Sequence, residues 1–282
     1  FFFFFFFFFR PSMAPSSLPL LLATFAFLHT AAAAEHGVSF AYDDGLMGPE
    51  NWGTLKPHYG NCSSGKQQSP INIVTDHSLP YNNLKPLAIH YPKTVNATLI
   101  HHGYGIGAEF QKESGVLEID GKDFHLSNMH WHCPSEHRIN RLQFPAELHV
   151  VHKAEDGSIA VVGILYRYGK EDPLISKISD KLEEMAMEKC GVGEDSHIDL
   201  GEFRMDEISR KSGKYYRYVG SLTTPPCTQN IIWTVLGKVR PISRNQVRSL
   251  KAPLGRSFQS NSRPLQPLNG RNVKLYEDVD DH

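Results

Sequence analysis

The sequence predicts one mixed, mainly β domain, a large sheet with peripheral helices. Three observations carry this. Short runs rich in branched and aromatic residues recur along the chain between Gly, Pro and Asn punctuation. Helical spacing of apolar residues is concentrated in one segment. Beyond the extreme N-terminus there is no repeat, linker or low-complexity stretch that would divide the chain.

The elements follow in chain order. Nine consecutive Phe, Phe1 to Phe9, precede Arg10 and Pro11 and have no structural rationale; residues 1–12 read as an upstream artefact before a start at Met13. Residues 13–34 read as a signal peptide, with an apolar run from Leu18 to Leu28 and small residues Ala31 to Ala34 at a cleavage site. That run falls short of the roughly 20 apolar residues of a membrane span. The domain is then 35–282, with strands expected at LAIHY (87–91), VLEIDG (116–121), ELHVVHK (147–153), IAVVGILYRY (159–168) and IIWTVLGKV (231–239). Asp172 and Pro173 open the helical segment, in which Leu174, Ile175, Ile178, Leu182 and Met185 share a face, and Gly191 follows it. The C-terminal region holds X-Pro turns and little periodicity.

Composition narrows the function. The 29 basic and 30 acidic residues leave a net charge of -1 with no basic stripe, which argues against nucleic acid as a partner. A secretory route permits disulfides among Cys62, Cys133, Cys190 and Cys227, whose pairing spacing alone does not give. Two N-glycosylation sequons start at Asn61 and Asn96; Asn96 is the better acceptor, because a bridged Cys62 would hinder Asn61. No feature fixes an oligomeric state.

Chemistry concentrates in SNMHWHCPSEH (127–137). On a strand, Asn128, His130 and His132 face one way while Met129 and Trp131 face the other. In ELHVVHK, Glu147, His149 and Val151 likewise share a face. If the two runs pair antiparallel around a turn near Asn140 and Arg141, His132 comes opposite His149 and a third imidazole joins the first two. Three neutral nitrogen donors from adjacent strands suit zinc and leave its fourth position to water. A lone strand His is more often a surface or hydrogen-bonded residue, but Asn128 and Glu147, each two residues from a proposed ligand, are placed to orient His130 and His149.

MHWHCPSEH, AELHVVH and YVGSLTTPPCTQNIIWTV together resemble the α-class carbonic anhydrases, especially their secreted plant branch. GPENWG (48–53), QQSPINI (67–73), GILYRYG (163–169) and NSRPLQPLNGR (261–271) extend the resemblance in the family's order, from about residue 40 to about residue 276. The resemblance implies a central, largely antiparallel twisted sheet surrounded by short helices. It also implies zinc-dependent reversible hydration of carbon dioxide to bicarbonate through zinc-bound hydroxide, with His130, His132 and His149 as the zinc ligands. By the same resemblance the Thr223 hydroxyl accepts a hydrogen bond from the hydroxide and donates one to Glu136, Thr224 contacts bicarbonate, and Val151, Val161, Leu222, Ile231 and Trp233 form the wall for carbon dioxide. Cys62 and Cys227 match the family's disulfide, while His137 and His152 match buried structural positions. The implied destination is the secretory pathway and secretion, or a plastid reached by that route.

The chain departs from the family in HHGYGIGAEF, which puts Tyr104 where active relatives often carry a proton-shuttling His. A phenol, ordinarily titrating near 10, relays protons poorly at neutral pH. Proton transfer is therefore expected to limit turnover unless His101 or His102 takes over. Cys133, facing away from the His130/His132 side, reads as a small buried thiol rather than a fourth ligand. The alternative function is a carbonic-anhydrase-like storage or binding protein with weak or no activity. A zinc peptidase is disfavoured by the absence of a His-Glu-x-x-His helix.

Overall fold

The computed structural model describes Phe1 and residues 39–111, 114–187, 196–208 and 212–278. The chain divides into two compact units, Phe1–Glu35 and His36–His282, and every element below belongs to the second. The expected signal peptide, Cys190 and Gly191 lie outside the described residues. Among the described residues no helix is long and apolar enough to cross a membrane.

The expected mainly β architecture is present as a large mixed, largely antiparallel sheet with short helices. Its central path runs Ser196–Arg204, Thr94–His101, Ile106–Phe110, Lys122–His132, Ala146–Lys153, Ile159–Tyr168, Gln229–Leu236, Lys214–Ser221, Lys274–Glu277 and Leu79–Pro80. Ile159–Tyr168 pairs parallel with both Gln229–Leu236 and Arg240–Ile242, whereas Lys122–His132 and Ala146–Lys153 pair antiparallel.

Both faces of the sheet centre are covered, which is why Ile159–Tyr168 is nearly continuously apolar rather than alternating. Ala160, Val162 and Ile164 join a core with Met129, Trp131, Leu148 and Val150. Val161 and Leu165 point the opposite way, into a second core with Val151, Ile231 and Trp233. The three converging imidazoles and the apolar cluster beside them sit on that second side.

The helical segment folds as two pieces, Pro173–Ser176 and Ser179–Met187. Asp172 caps the first by accepting from Leu174 N and Ile175 N, with Pro173 at the first position, where its missing N–H costs nothing. Leu174, Ile175, Ile178, Leu182 and Met185 are all essentially inaccessible, so the expected apolar face is the buried one. The C-terminal region differs from the sequence reading by containing a helix, Arg244–Lys251. Only Val247 and Leu250 mark its apolar face, too few for a periodic signal, but Ser243 and Gln246 form a reciprocal capping box that starts it. Several strands also escaped the sequence reading. Ser196–Arg204 lies at the sheet edge, alternates poorly and carries a register shift between Asp199 and Gly201.

The pairing of the two histidine strands differs from expectation by two residues. His132 lies opposite Glu147, and His149 opposite His130. The turn at Asn140 and Arg141 is where it was expected, with Ile139 facing Leu142 and Arg138 facing Gln143. Nearer the histidines, however, Ser135 N bonds Phe144 O. Glu136 and His137 are therefore the two extra residues on their side. They are 2% and 0% exposed, and their backbone N–H groups turn inward to Glu147 Oε2 at 2.9 and 2.8 Å. A shift of two preserves the side-chain faces, so the three imidazoles still share one side.

Candidate metal centre

The rings of His130, His132 and His149 lie 4.6–5.2 Å apart between centroids. One nitrogen from each falls within 4.8 Å of the other two. The remaining nitrogen of every ring is already engaged. His130 Nδ1 donates to Asn128 Oδ1 at 3.2 Å, His132 Nδ1 to the Asn261 carbonyl at 2.6 Å, and His149 Nε2 to Glu147 Oε1 at 2.9 Å. Each bond fixes a tautomer in which the converging nitrogen carries a lone pair. His132 Nε2 is buried without a hydrogen-bond partner. A buried acceptor left bare is costly unless something binds it.

Burial, as the leading cause, holds all three imidazoles below their ordinary pKa. They are thus neutral at physiological pH, the form in which imidazole ligates a metal. This donor set fits zinc: three neutral nitrogens, each oriented by an outer partner. His137, Glu147 and His149 also lie together, but there both imidazoles donate to Glu147 Oε1, at 2.7 and 2.9 Å, so that group is a hydrogen-bonded cluster.

Glu136 sits beside the lone pairs. Its Oε1 accepts from Arg263 N at 2.8 Å, and its Oε2 lies 3.5 Å from His132 Nε2 and 3.9 Å from His149 Nδ1. Burial pushes its carboxyl up to about 7, opposed by His149, by the Thr223 hydroxyl and by the Arg263 N–H. Thr223 is 5% exposed and lies in the loop after Lys214–Ser221. Thr224 is half-buried, and its carbonyl accepts from Cys227 N at 2.8 Å to close that loop. The Cys62–Cys227 disulfide ties the same loop to the N-terminal segment. Val151, Val161, Ile231 and Trp233 form one buried apolar cluster with Leu222 packed against it, and the Trp233 ring lies 4.7 Å from His149.

The shuttle region divides the three residues considered for it. His101 is 4% exposed, with Nε2 on the Pro253 carbonyl at 3.1 Å and Nδ1 accepting from Gly103 N. Both nitrogens are engaged in holding the loop, which removes His101 as a carrier. Tyr104 packs on Phe40 and stacks on His102, with ring centroids 5.8 Å apart and planes 21° apart. His102 is half-buried, and its Nε2 reaches towards Gly107, the residue paired with His130. Cys133 is a buried free thiol in the opposite core, its pKa pushed up to about 12 by burial. His152 is buried against Tyr91, also away from the imidazole trio. Asn96 and Asn61 are both exposed.

Sequence reasoning assigned no role to Asn261 or Arg263. Asn261 orients His132 through its carbonyl, while its amide accepts from Cys133 N and donates to the Trp131 and Tyr104 carbonyls. Arg263 donates to the Cys62, Gln68 and Ser69 segment and presents its N–H to Glu136. Both lie in NSRPLQPLNGR, a stretch noticed as a whole but without a residue whose type announces metal chemistry.

Comparison with known proteins places this arrangement among relatives. The description "Eukaryotic-type carbonic anhydrase" matches residues 47–277. Alpha carbonic anhydrase 7 of Arabidopsis thaliana is 39% identical over 256 residues, covering 89% of this chain and 91% of the relative. Dioscorin dioA3 of Dioscorea japonica is 35% identical, covering 92% and 94%. Among solved structures, dioscorin complexed with ascorbate aligns at a TM-score of 0.81 with 36% identity over 86% of this chain and 99% of that one. The α-carbonic anhydrase of Thermovibrio ammonificans in complex with sulfanilamide aligns at 0.73 with 33% identity, covering 83% and 98%.

Proposed function

The chain belongs to the eukaryotic-type carbonic anhydrase family, and from that membership we propose that it catalyses the reversible hydration of carbon dioxide to bicarbonate and a proton. One observation carries the reading: three imidazole lone pairs, each left bare by a partner on the far nitrogen, converge beside Glu136 and an apolar wall. His130, His132 and His149 would hold zinc, which when bound supplies the Lewis acidity that makes a nucleophile from water near neutral pH.

The chain's own groups do the rest. In its ionised form Glu136 can only accept, so the Thr223 hydroxyl donates its hydrogen bond to Glu136 and turns its oxygen lone pairs to the site. That fixes which lone pairs of the nucleophile point at the substrate. Val151, Val161, Leu222, Ile231 and Trp233 exclude water and offer carbon dioxide an apolar surface, while Thr224 takes a polar contact to bicarbonate. Proton export falls to His102, an imidazole that can both take and release a proton and whose Nε2 reaches towards Gly107, the residue paired with His130. His102→Ala is expected to slow turnover in weak buffer and to be rescued by added imidazole, while Tyr104→Phe leaves turnover nearly unchanged; the reverse pattern would make Tyr104 the carrier.

Secretion fits the disulfide and the plant relatives, with Asn96 as the glycan acceptor. The likeness to dioscorins supports a second reading, a carbonic-anhydrase-like storage or binding protein with weak or no hydration. Hydration assayed on purified protein, with zinc content measured in parallel, separates the two. The enzyme reading expects chelator-sensitive activity with about one zinc per chain, and zinc-loaded protein without activity would favour the second.

A further inference from the structure

On the side of the sheet away from the three imidazoles, a cavity of about 250 Å³ lies between the strand Ile159–Tyr168, the loop into the first helical piece and the stretch from Leu236 to Pro241. Ile164, Ile208 and Leu236 give it apolar walls, and all three belong to the core opposite the metal centre. The exposed charged residues around it are Lys170, Glu171 and Lys238, which mark where it meets solvent. An engineered apolar cavity of roughly 150 Å³ already accommodates benzene, so this one has room for a ring and a small substituent.

Two buried polar side chains line the same cavity, Asp172 at 0% and Arg240 at 9% exposed. Arg240 Nη1 donates to the Glu207 carbonyl at 2.9 Å, and Asp172 Oδ1 is taken by the helix cap, accepting from Leu174 N and Ile175 N. Arg240 Nη2 and Asp172 Oδ2 are left over. They lie 2.8 Å apart, yet neither makes a hydrogen bond to the other or to any other group. Charge holds the pair together while one donor and one acceptor stay unused, a costly state for buried groups until something satisfies them.

The charges around the cavity decide what can enter. Lys170, Lys238 and Arg240 are matched by Glu171, Asp172 and Glu207, whose Oε2 stands 3.8 Å from Arg240 Nη2. An entering carboxylate would meet Asp172 and an entering cation would meet Arg240, so either would give up its hydration for no net attraction. An uncharged group that donates to Asp172 Oδ2 and accepts from Arg240 Nη2 suits both, and a carboxamide does this with one N–H and its carbonyl. We infer that the cavity is a binding site, separate from the metal centre, for an uncharged aromatic carboxamide whose ring lies against Ile164, Ile208 and Leu236 and whose amide lies between Asp172 and Arg240.

Methyl NMR of the mature chain titrated with benzamide, benzoate and benzamidine tests this, because the three probes share a ring and a size and differ in charge. The expected result is saturable shifts of the Ile164, Ile208 and Leu236 methyls with benzamide, and binding about tenfold weaker for benzoate and for benzamidine. The Val161 and Ile231 methyls, on the metal-centre side, should stay unmoved. Asp172→Asn keeps a side-chain oxygen for the helix cap and removes the negative charge, so in that variant the preference should turn to benzoate. Benzoate or benzamidine binding the wild type as tightly as benzamide overturns the inference. So do benzamide shifts confined to Val161 and Ile231, or none at all, which would leave the cavity to water. These outcomes need only the wild type, so they decide the matter even where Asp172→Asn does not fold; a folded Asp172→Asn that still prefers benzamide also overturns it.

Discussion

At the scale of single residues, the imidazoles matter less for their number than for which nitrogen each has left over. Asn128 and Glu147 were legible as orienting partners because each lies two residues from one of the converging imidazoles on the same strand face, a relation that pleat geometry guarantees. The partner of His132 was not legible, because a backbone carbonyl at Asn261 leaves no mark in side-chain type. Replacing Asn128 by Ala, or Glu147 by Gln, is expected to weaken zinc binding by about 10–100-fold. Glu147→Gln should cost more, since it also strips a partner from His137; equal zinc affinity in both variants and wild type would contradict the orienting roles.

His152 supplies a pH signature independent of the metal. Burial lowers its pKa to about 4, against 6.5 ordinarily. Above pH 6.5 both folded and unfolded forms are neutral there and the group contributes nothing. As pH falls below 6.5 the unfolded chain takes up a proton that the folded chain refuses, so stability drops until about pH 4 and is then flat. Urea unfolding of chelator-treated wild type and His152→Gln should show their stability difference shifting by about 2 kcal/mol between pH 7 and pH 5, in favour of the variant at the lower pH. A pH-independent difference would mean that His152 is not buried neutral.

At the scale of elements, strands buried on both faces and the face of the helical segment could be read from apolar spacing, and register could not. The turn at Asn140 and Arg141 fixes a hairpin, but Glu136 and His137 are spent inside it on Glu147 rather than on the ladder. Nothing in residue type shows that two residues of a hairpin leave its pairing. The helix Arg244–Lys251 was missed altogether, since Val247 and Leu250 are too few to make a periodic stripe and its Ser243/Gln246 capping box emerged only in the structure. Removing the cap with Ser243→Ala should cost about 1 kcal/mol. Gln246→Ala should cost more, because Gln246 also pairs both Asp172 N and Asp172 O, and leaving each buried backbone group unpaired costs about 1–3 kcal/mol. Chemical denaturation orders the two; a smaller loss for Gln246→Ala would place the stabilisation in the cap alone.

At the scale of the whole molecule, segments far apart in sequence meet at the metal centre. The Cys62–Cys227 bridge spans 165 residues and, with Arg263 bonded to Cys62 O and Ser69 O, ties the N-terminal segment to the loop bearing Thr223 and to Glu136. Replacing both cysteines by Ser should cost about 2–5 kcal/mol. Hydration should then fall by more than zinc content does, because the ligands stand on strands while Thr223 depends on the tethered loop. The sheet and the convergence of His130, His132 and His149 were legible from local pattern and family resemblance. The clamp by Asn261 and Arg263 was not, since contacts over more than a hundred residues carry no local signal.

The proposed activity requires one zinc ion held by His130, His132 and His149. Metal analysis of the purified mature chain alongside its carbon dioxide hydration, before and after chelation and then with zinc restored, tests it most directly. We expect about one zinc per chain, activity lost with the metal and recovered on its return, and neither metal nor activity in His149→Ala. Full hydration by a metal-free chain, or one zinc still bound in His149→Ala, would contradict it.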